Sequence, residues 1–211
     1  MINTRMIKMR YPKIRELKEA IRAILKGPYT SEFPYQPHKP YERFRGAPHF
    51  HQEDCIGCTA CFQVCPAGAI EFKDELRSGK AKRTLIVHWD KCICCGQCQA
   101  NCPTSKGIVL SQDFEMSTTE EHAALFESID KEIVLCGCCR DIIAPRDQIL
   151  WVARRLGALC FSNASLMLFY LNALNLASRD DSLKLHESEL LRSDRIKVLC
   201  PRCRREAVLK S

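Results

Sequence analysis

The sequence predicts an α+β fold, and three observations predict it. A cysteine-bearing segment occurs twice between residues 54 and 112 with one constant offset. Each copy closes on a short β-type stretch, Ala69-Ile70-Glu71-Phe72 in the first and Gly107-Ile108-Val109-Leu110 in the second. The flanks on either side carry helical patterning instead, with apolar residues recurring every three to four positions.

The chain divides into four segments. Residues 1–28 read as a basic amphipathic helix: Ile14, Leu17, Ile21 and Ile24/Leu25 form the apolar stripe, and Gly27-Pro28 ends it. Residues 29–53 interleave Pro34, Pro37, Pro40 and Pro48 with Phe33, Tyr35, Tyr41, Phe44 and Phe50. Prolines at that density exclude a helix, and so many aromatics do not suit a free linker. An extended arm lying on a partner surface is the expectation. Residues 54–112 are the duplicated unit, in which Arg83 to His88 alternates as a strand after a Ser78-Gly79 turn. Residues 113–211 read as helical, with one helix from Pro145 to Leu156 and a second, very apolar one capped by Ser162 and running to about Ala177.

The cysteines carry the chemistry. There are 15 in 211 residues, an odd count at close, regular spacing. Neighbours so near in sequence are poorly placed to pair as disulfides, and the basic start lacks the apolar stretch of a secretory signal. A metal-binding chain in a reducing, cytoplasmic setting is expected. Cys55, Cys58, Cys61 and Cys65 map onto Cys92, Cys95, Cys98 and Cys102 with an offset of 37 residues, and each run ends in Cys-Pro. This is C-x2-C-x2-C-x3-C-P twice over. Three close cysteines hold one [4Fe–4S] cluster, and the fourth reaches the cluster of the other half. The expected ligand sets are therefore Cys55, Cys58, Cys61 and Cys102 for the first cluster, and Cys92, Cys95, Cys98 and Cys65 for the second. A zinc ribbon uses separated C-x2-C pairs and does not produce two runs of four. The fold expectation becomes a bacterial-type 2[4Fe–4S] ferredoxin core with an N-terminal amphipathic helix, an extended arm and a helical C-terminal lobe. All eight ligand positions are cysteine, so no iron is left open for substrate, and electron transfer, not bond chemistry, is the expected task.

Cys136-x2-Cys139 and Cys200-x2-Cys203 form two further knuckles, sufficient for one tetrahedral zinc site. A third cluster and free or paired thiols are the competing readings, and Cys138 is an alternative ligand because C-x-C is also present. Cys94, opposite Gly57 in the repeat, reads as a packed thiol beside the second cluster, and Cys160 as a core thiol. Phe62, Trp89 and Ile93 read as shielding around the cysteine runs. No two of the six histidines stand at metal-ligand spacing.

The formal charge of +7 shrinks to roughly +1 once two four-thiolate clusters and a four-thiolate zinc, each about −2, are counted. The basic character concentrates in residues 1–30, where eight Lys/Arg face Glu16 and Glu19. That end is expected to seek an anionic surface, at lipid headgroups or on membrane subunits. Arg202, Arg204 and Arg205 lack interleaved aromatics, which argues against nucleic acid. No apolar run is long enough to span a bilayer.

The stretch Tyr41-Glu-Arg-Phe-Arg-Gly-Ala-Pro48, followed by Asp54-Cys55-Ile-Gly-Cys58, resembles the two-cluster subunits of complex I (its 23 kDa subunit family) and of membrane-bound group 4 [NiFe] hydrogenases. The resemblance covers residues 10–115. The tail Leu135-Cys136-Gly-Cys138-Cys139 with Cys200-Pro-Arg-Cys203 is similar to that of hydrogenase-type members. It implies a peripheral subunit on the cytoplasmic side of a membrane complex. Electrons would come from a soluble donor, a ferredoxin or a formate dehydrogenase subunit. They would pass to hydrogenase-like small and large subunits, and membrane-embedded partners would pump ions. On the same residues, a free-standing polyferredoxin serving a soluble oxidoreductase is the alternative. Arg43 and Arg45 of the arm are candidates for pairing carboxylates of a partner, with ordinary solvated charges as the competing reading.

Overall fold

A computed structural model describes residues 13–27, 30–77, 80–119, 125–177 and 197–209. The chain falls into two units, residues 1–42 and 43–211.

In the first unit, helix α1 spans Ile14–Lys26. At its start the Glu16 carboxylate accepts the Lys13 N–H at 3.0 Å, and at its end Gly27, at φ +78°, donates its N–H to the Ala23 carbonyl. A left-handed residue is what turns the chain off a helix, and glycine takes that conformation without steric cost. Ile14, Leu17, Ile21, Ile24 and Leu25 are all exposed, so the stripe that sequence periodicity predicts is left uncovered by the described residues of this unit. The part of the expected helix before Lys13, and Pro28, lie outside the described residues. Residues 30–42 contain no helix and no strand.

The second unit is built on two antiparallel sheets. Strand β1 (Pro48–Phe50) pairs with β4 (Ile108–Leu110), aligning Pro48 with Leu110 and Phe50 with Ile108. Strand β2 (Ile70–Arg77) pairs with β3 (Lys80–His88) as a long hairpin, whose expected turn at Ser78-Gly79 lies outside the described residues. The short helices α2 (Ala60–Gln63) and α3 (Gln97–Ala100) each carry the third cysteine of a run, Cys61 or Cys98. Phe50, Ile70, Leu85, Val87, Ile108 and Ile129 form the buried core together with Cys55, Cys61 and Cys98, and Cys65 and Cys102 pack at its margin. The duplicated α+β unit is thus a mixed helix–strand, ferredoxin-like domain.

The segment 113–211, read from sequence as helical, departs from that reading at its start. Strand β5, ten residues from Phe126–Leu135, pairs antiparallel with β3 from Lys82↔Glu132 to His88↔Phe126. Strand β6 (Ile142–Pro145) adds to β5, giving the order β2-β3-β5-β6. Ile129, Lys131 and Ile133 face inward while Ser128, Asp130 and Glu132 face solvent. A lysine at the middle inward position breaks the apolar alternation that marks a half-buried strand. The sheet therefore runs across the sequence division at residue 112, and β5 covers what would be an open edge of the hairpin.

Helix α4 (Arg146–Leu156) follows Pro145 as expected, and a 3₁₀ turn (Gly157–Ser162) leads to α5 (Ala164–Ala173). The cap of α5 is Asn163, not Ser162: its Oδ1 accepts the N–H groups of Ser165 and Leu166, while the Ser162 hydroxyl donates to the Leu159 carbonyl. Helix α6 (Pro201–Leu209) begins directly after Cys200. Among the described residues no helix is long and apolar enough to cross a membrane.

Candidate metal centres

The two cysteine loops use the same backbone device. In Cys55-Ile56-Gly57-Cys58-Thr59 the left-handed residues are Gly57 (φ +70°) and Thr59 (φ +63°). In Cys92-Ile93-Cys94-Cys95-Gly96 they are Cys94 (φ +50°) and Gly96 (φ +79°). Each loop spends its glycine at a different one of the two positions. The turn aims an amide at sulfur, as where the Cys94 N–H donates to Cys92 Sγ at 3.4 Å. Cys94 therefore stands in a backbone position that favours glycine, and its side chain borders the second cavity.

Two apolar-walled cavities result. One is lined by Cys55, Cys58, Cys61 and Cys102 with Leu85 and Ile108, the other by Cys65, Cys92, Cys95 and Cys98 with Ile70. Each cavity thus gathers three cysteines of one run and the last cysteine of the other. Cys65 Sγ accepts the Ala69 N–H at 3.3 Å, and Cys102 Sγ lies 3.3 Å from the Thr104 hydroxyl. Gly107 permits the crossing, because a Cβ there would stand 3.1 Å from both Cys102 Sγ and Cys55 Cα.

The thiols of these cavities are crowded and buried. Burial, followed by the neighbouring Cys55 and Cys58, pushes Cys61 up to about 12, and burial with Cys92 and Cys95 pushes Cys98 up to about 11. At Cys102 burial acts upward too, but the Thr104 hydroxyl and the amides of Thr104, Gly107 and Ile108 outweigh it and lower the thiol. Four thiolates in one apolar cavity require a compensating cation, which an iron–sulfur core provides. The residues present fit that group.

The first loop is clamped from outside. Arg83 grips Asp74 bidentately at 2.7 and 2.8 Å and donates from Nη1 to the Gly57 carbonyl at 3.1 Å. Its guanidinium also lies over the Phe72 ring. A Cβ on Gly57 would meet Pro145 and Lys131 at 3.1 to 3.2 Å in a left-handed conformation. Gly57→Ala is expected to lower the stability of the cluster-loaded protein by about 1–3 kcal/mol, read as a shifted midpoint in chemical denaturation. In the second loop Arg45 donates to the Cys95 carbonyl at 3.1 Å. Arg45 thus also braces a cysteine loop. Trp89 packs as shielding, its indole N–H donating to the Pro48 carbonyl and its ring edge-on to His49.

A third constellation joins the turn between β5 and β6 to the start of α6. The sulfurs of Cys136, Cys139, Cys200 and Cys203 all lie within 4.8 Å of one another, Cys139 and Cys200 being 3.7 Å apart. A disulfide needs about 2.05 Å, whereas four sulfurs at ~2.3 Å from one zinc stand roughly 3.8 Å apart. Amides of Cys138 and Cys200 donate to Cys136 Sγ at 3.4 and 3.3 Å, and that of Cys203 to Cys200 Sγ at 3.5 Å. Burial would raise Cys136, but the amides of Cys200, Cys138 and Cys139 prevail and bring it down to about 6. The donor set suits one tetrahedral soft-metal ion. Cys138 stays exposed outside that group, and Cys160 is buried in the 3₁₀ turn apart from it.

Residues 41–106 match the family model of the 4Fe-4S dicluster domain. NAD(P)H-quinone oxidoreductase subunit I of Gloeobacter violaceus is 33% identical over 106 residues, covering 48% of this chain and 50% of the relative. Formate hydrogenlyase subunit 6 of Escherichia coli is 33% identical over 133 residues, covering 61% of this chain and 70% of the relative. Among solved structures, a chain of the membrane-bound sulfane sulfur reductase, an archaeal respiratory membrane complex, shares 26% identity over 54% of this chain and 60% of its own length, at a TM-score of 0.38. The chain spans half the length of the quinone oxidoreductase subunit it matches.

Proposed function

Since the chain belongs to the family of 4Fe-4S dicluster subunits that includes formate hydrogenlyase subunit 6, we propose that it is the electron-relay subunit of a membrane-bound oxidoreductase related to complex I or to hydrogenase. One observation carries the reading: two neighbouring cavities, each lined by three cysteines of one run and the fourth of the other. A [4Fe–4S] cluster held in each supplies a one-electron donor and acceptor. The chain's own part is to fix both sites against one core, exclude water with Leu85, Ile70 and Ile108, and leave no ligand position open. Its donor is a soluble ferredoxin-like protein and its acceptors are hydrogenase-like small and large subunits. The bare apolar stripe and basic flanks of α1 support docking on membrane subunits or headgroups at the cytoplasmic face. Cys136, Cys139, Cys200 and Cys203 hold a structural zinc.

The test is anaerobic isolation of the full chain with its native membranes. About eight irons and eight sulfides per chain, two reducible paramagnetic centres, and co-purification with hydrogenase-like and membrane subunits are expected. A soluble monomer indifferent to membranes would instead support the free-standing polyferredoxin, and clusters that never reduce would end the relay reading altogether.

A further inference from the structure

The first cysteine loop rests on a cation that no motif announces. Lys131 lies on the inward face of β5 with its side chain 4% exposed. Its ammonium donates to the Gln52 carbonyl and to Asp147 Oδ2. Gly57, with no Cβ, lets the loop lie directly on the lysine stem: a Cβ there would stand 3.2 Å from Lys131 Cβ. A buried ammonium costs free energy even when paired, so a lysine kept here calls for a reason beyond strand packing.

We propose that Lys131 is a positioning residue for electrons: its buried charge raises the reduction potential of the site held by Cys55, Cys58, Cys61 and Cys102 above that of the site held by Cys65, Cys92, Cys95 and Cys98. The proposal rests on the relay reading. Placing one electron, supplied by the donor, on the first site adds one negative charge there, and a nearby cation favours that state.

The other charges at the loops do not do the same. Arg83 also touches the first loop, but Asp74 neutralises it through two short hydrogen bonds. Asp147, the counter-charge of Lys131, is 44% exposed in the first turn of α4, where solvent screens it. At the second loop the cations are Arg45 and Lys91; both are exposed, and Lys91 faces Glu71 at 3.9 Å. A charge in water acts roughly a quarter as strongly as one at a partly desolvated site at equal distance.

The experiment is a redox titration of the full chain by electron paramagnetic resonance, with the two signals assigned in Cys58→Ser and Cys95→Ser. In Lys131→Met the first site's reduction equilibrium is expected to fall about tenfold, ~59 mV for one electron, while the second site stays put. Lys131→Arg should keep the original potential. Asp147→Asn, which removes only the counter-charge, should raise the first site. Unmoved potentials in Lys131→Met, equal shifts at both sites, or Lys131→Arg behaving like Lys131→Met overturn the proposal. If Lys131→Met does not take up iron, Asp147→Asn decides alone: a first site that is unchanged or lowered overturns it. A native chain without two reducible centres defeats the relay reading itself, and the proposal with it.

Discussion

Cys65→Ser is expected to abolish the second iron–sulfur site and spare the first, halving the iron and sulfide content of the chain. In sequence Cys65 belongs to the first run, four residues after Cys61. In space its sulfur borders the cavity of Cys92, Cys95 and Cys98, anchored by the Ala69 amide. A serine oxygen is a harder, more reluctant ligand for iron than thiolate, so three cysteines remain around a site that needs four. Spin quantitation after reduction should report one centre per chain where the native protein reports two. Cys102→Ser is the mirror experiment and should remove the site of Cys55, Cys58 and Cys61. Loss of that first site on changing Cys65 would mean that each run closes on its own cluster and that the crossing is wrong.

The sequence shows the repeat because ligand chemistry is local. A constant offset of 37 residues, the Cys-Pro endings and the strand-like stretches after them need no knowledge of tertiary contacts. The structure gathers the crossed sets in two cavities for the same reason, since the spacing leaves the fourth cysteine past a turn. What escaped depends on partners far along the chain. Strand β5 was hidden because Lys131 sits where an apolar residue would betray the alternation, and its partners are Gln52 and Asp147. Arg83 looks like an ordinary strand residue until Asp74 and the Gly57 carbonyl are seen around it. Arg45 also reaches the Cys95 carbonyl, 50 residues away, a contact that no motif announces. The cap of α5 fell one residue late because Ser162 and Asn163 are both good caps, and only backbone geometry chooses between them.

Cys200→Ser is expected to release zinc and undock the last helix while both iron–sulfur sites persist. The buried centre of the C-terminal cluster consists of Cys136, Cys200 and Cys203, with Ile143 and Leu199 packed at its margin. Without metal that centre is mostly thiol, and two partly buried aliphatic side chains stabilise it by only a few kcal/mol. A four-cysteine zinc site in a small module contributes about 10–16 kcal/mol of apparent binding free energy, so an ion held there would outweigh the apolar contacts in closing this lobe. Among the described residues the remaining backbone and hydroxyl ties include the Gly137 N–H to the Val198 carbonyl at 2.9 Å and the Ser165 hydroxyl between Lys197 and Leu199. Strand β5, by contrast, is held by its pairing with β3 and should survive. Metal analysis should show one zinc lost per chain. Limited proteolysis should then cut within α6 and residues 197–200 far faster than in the native protein, with the reduced-cluster resonance signals intact. Native protein carrying about twelve irons would make this a third cluster, and four freely alkylated thiols with no metal would leave the lobe held by packing alone.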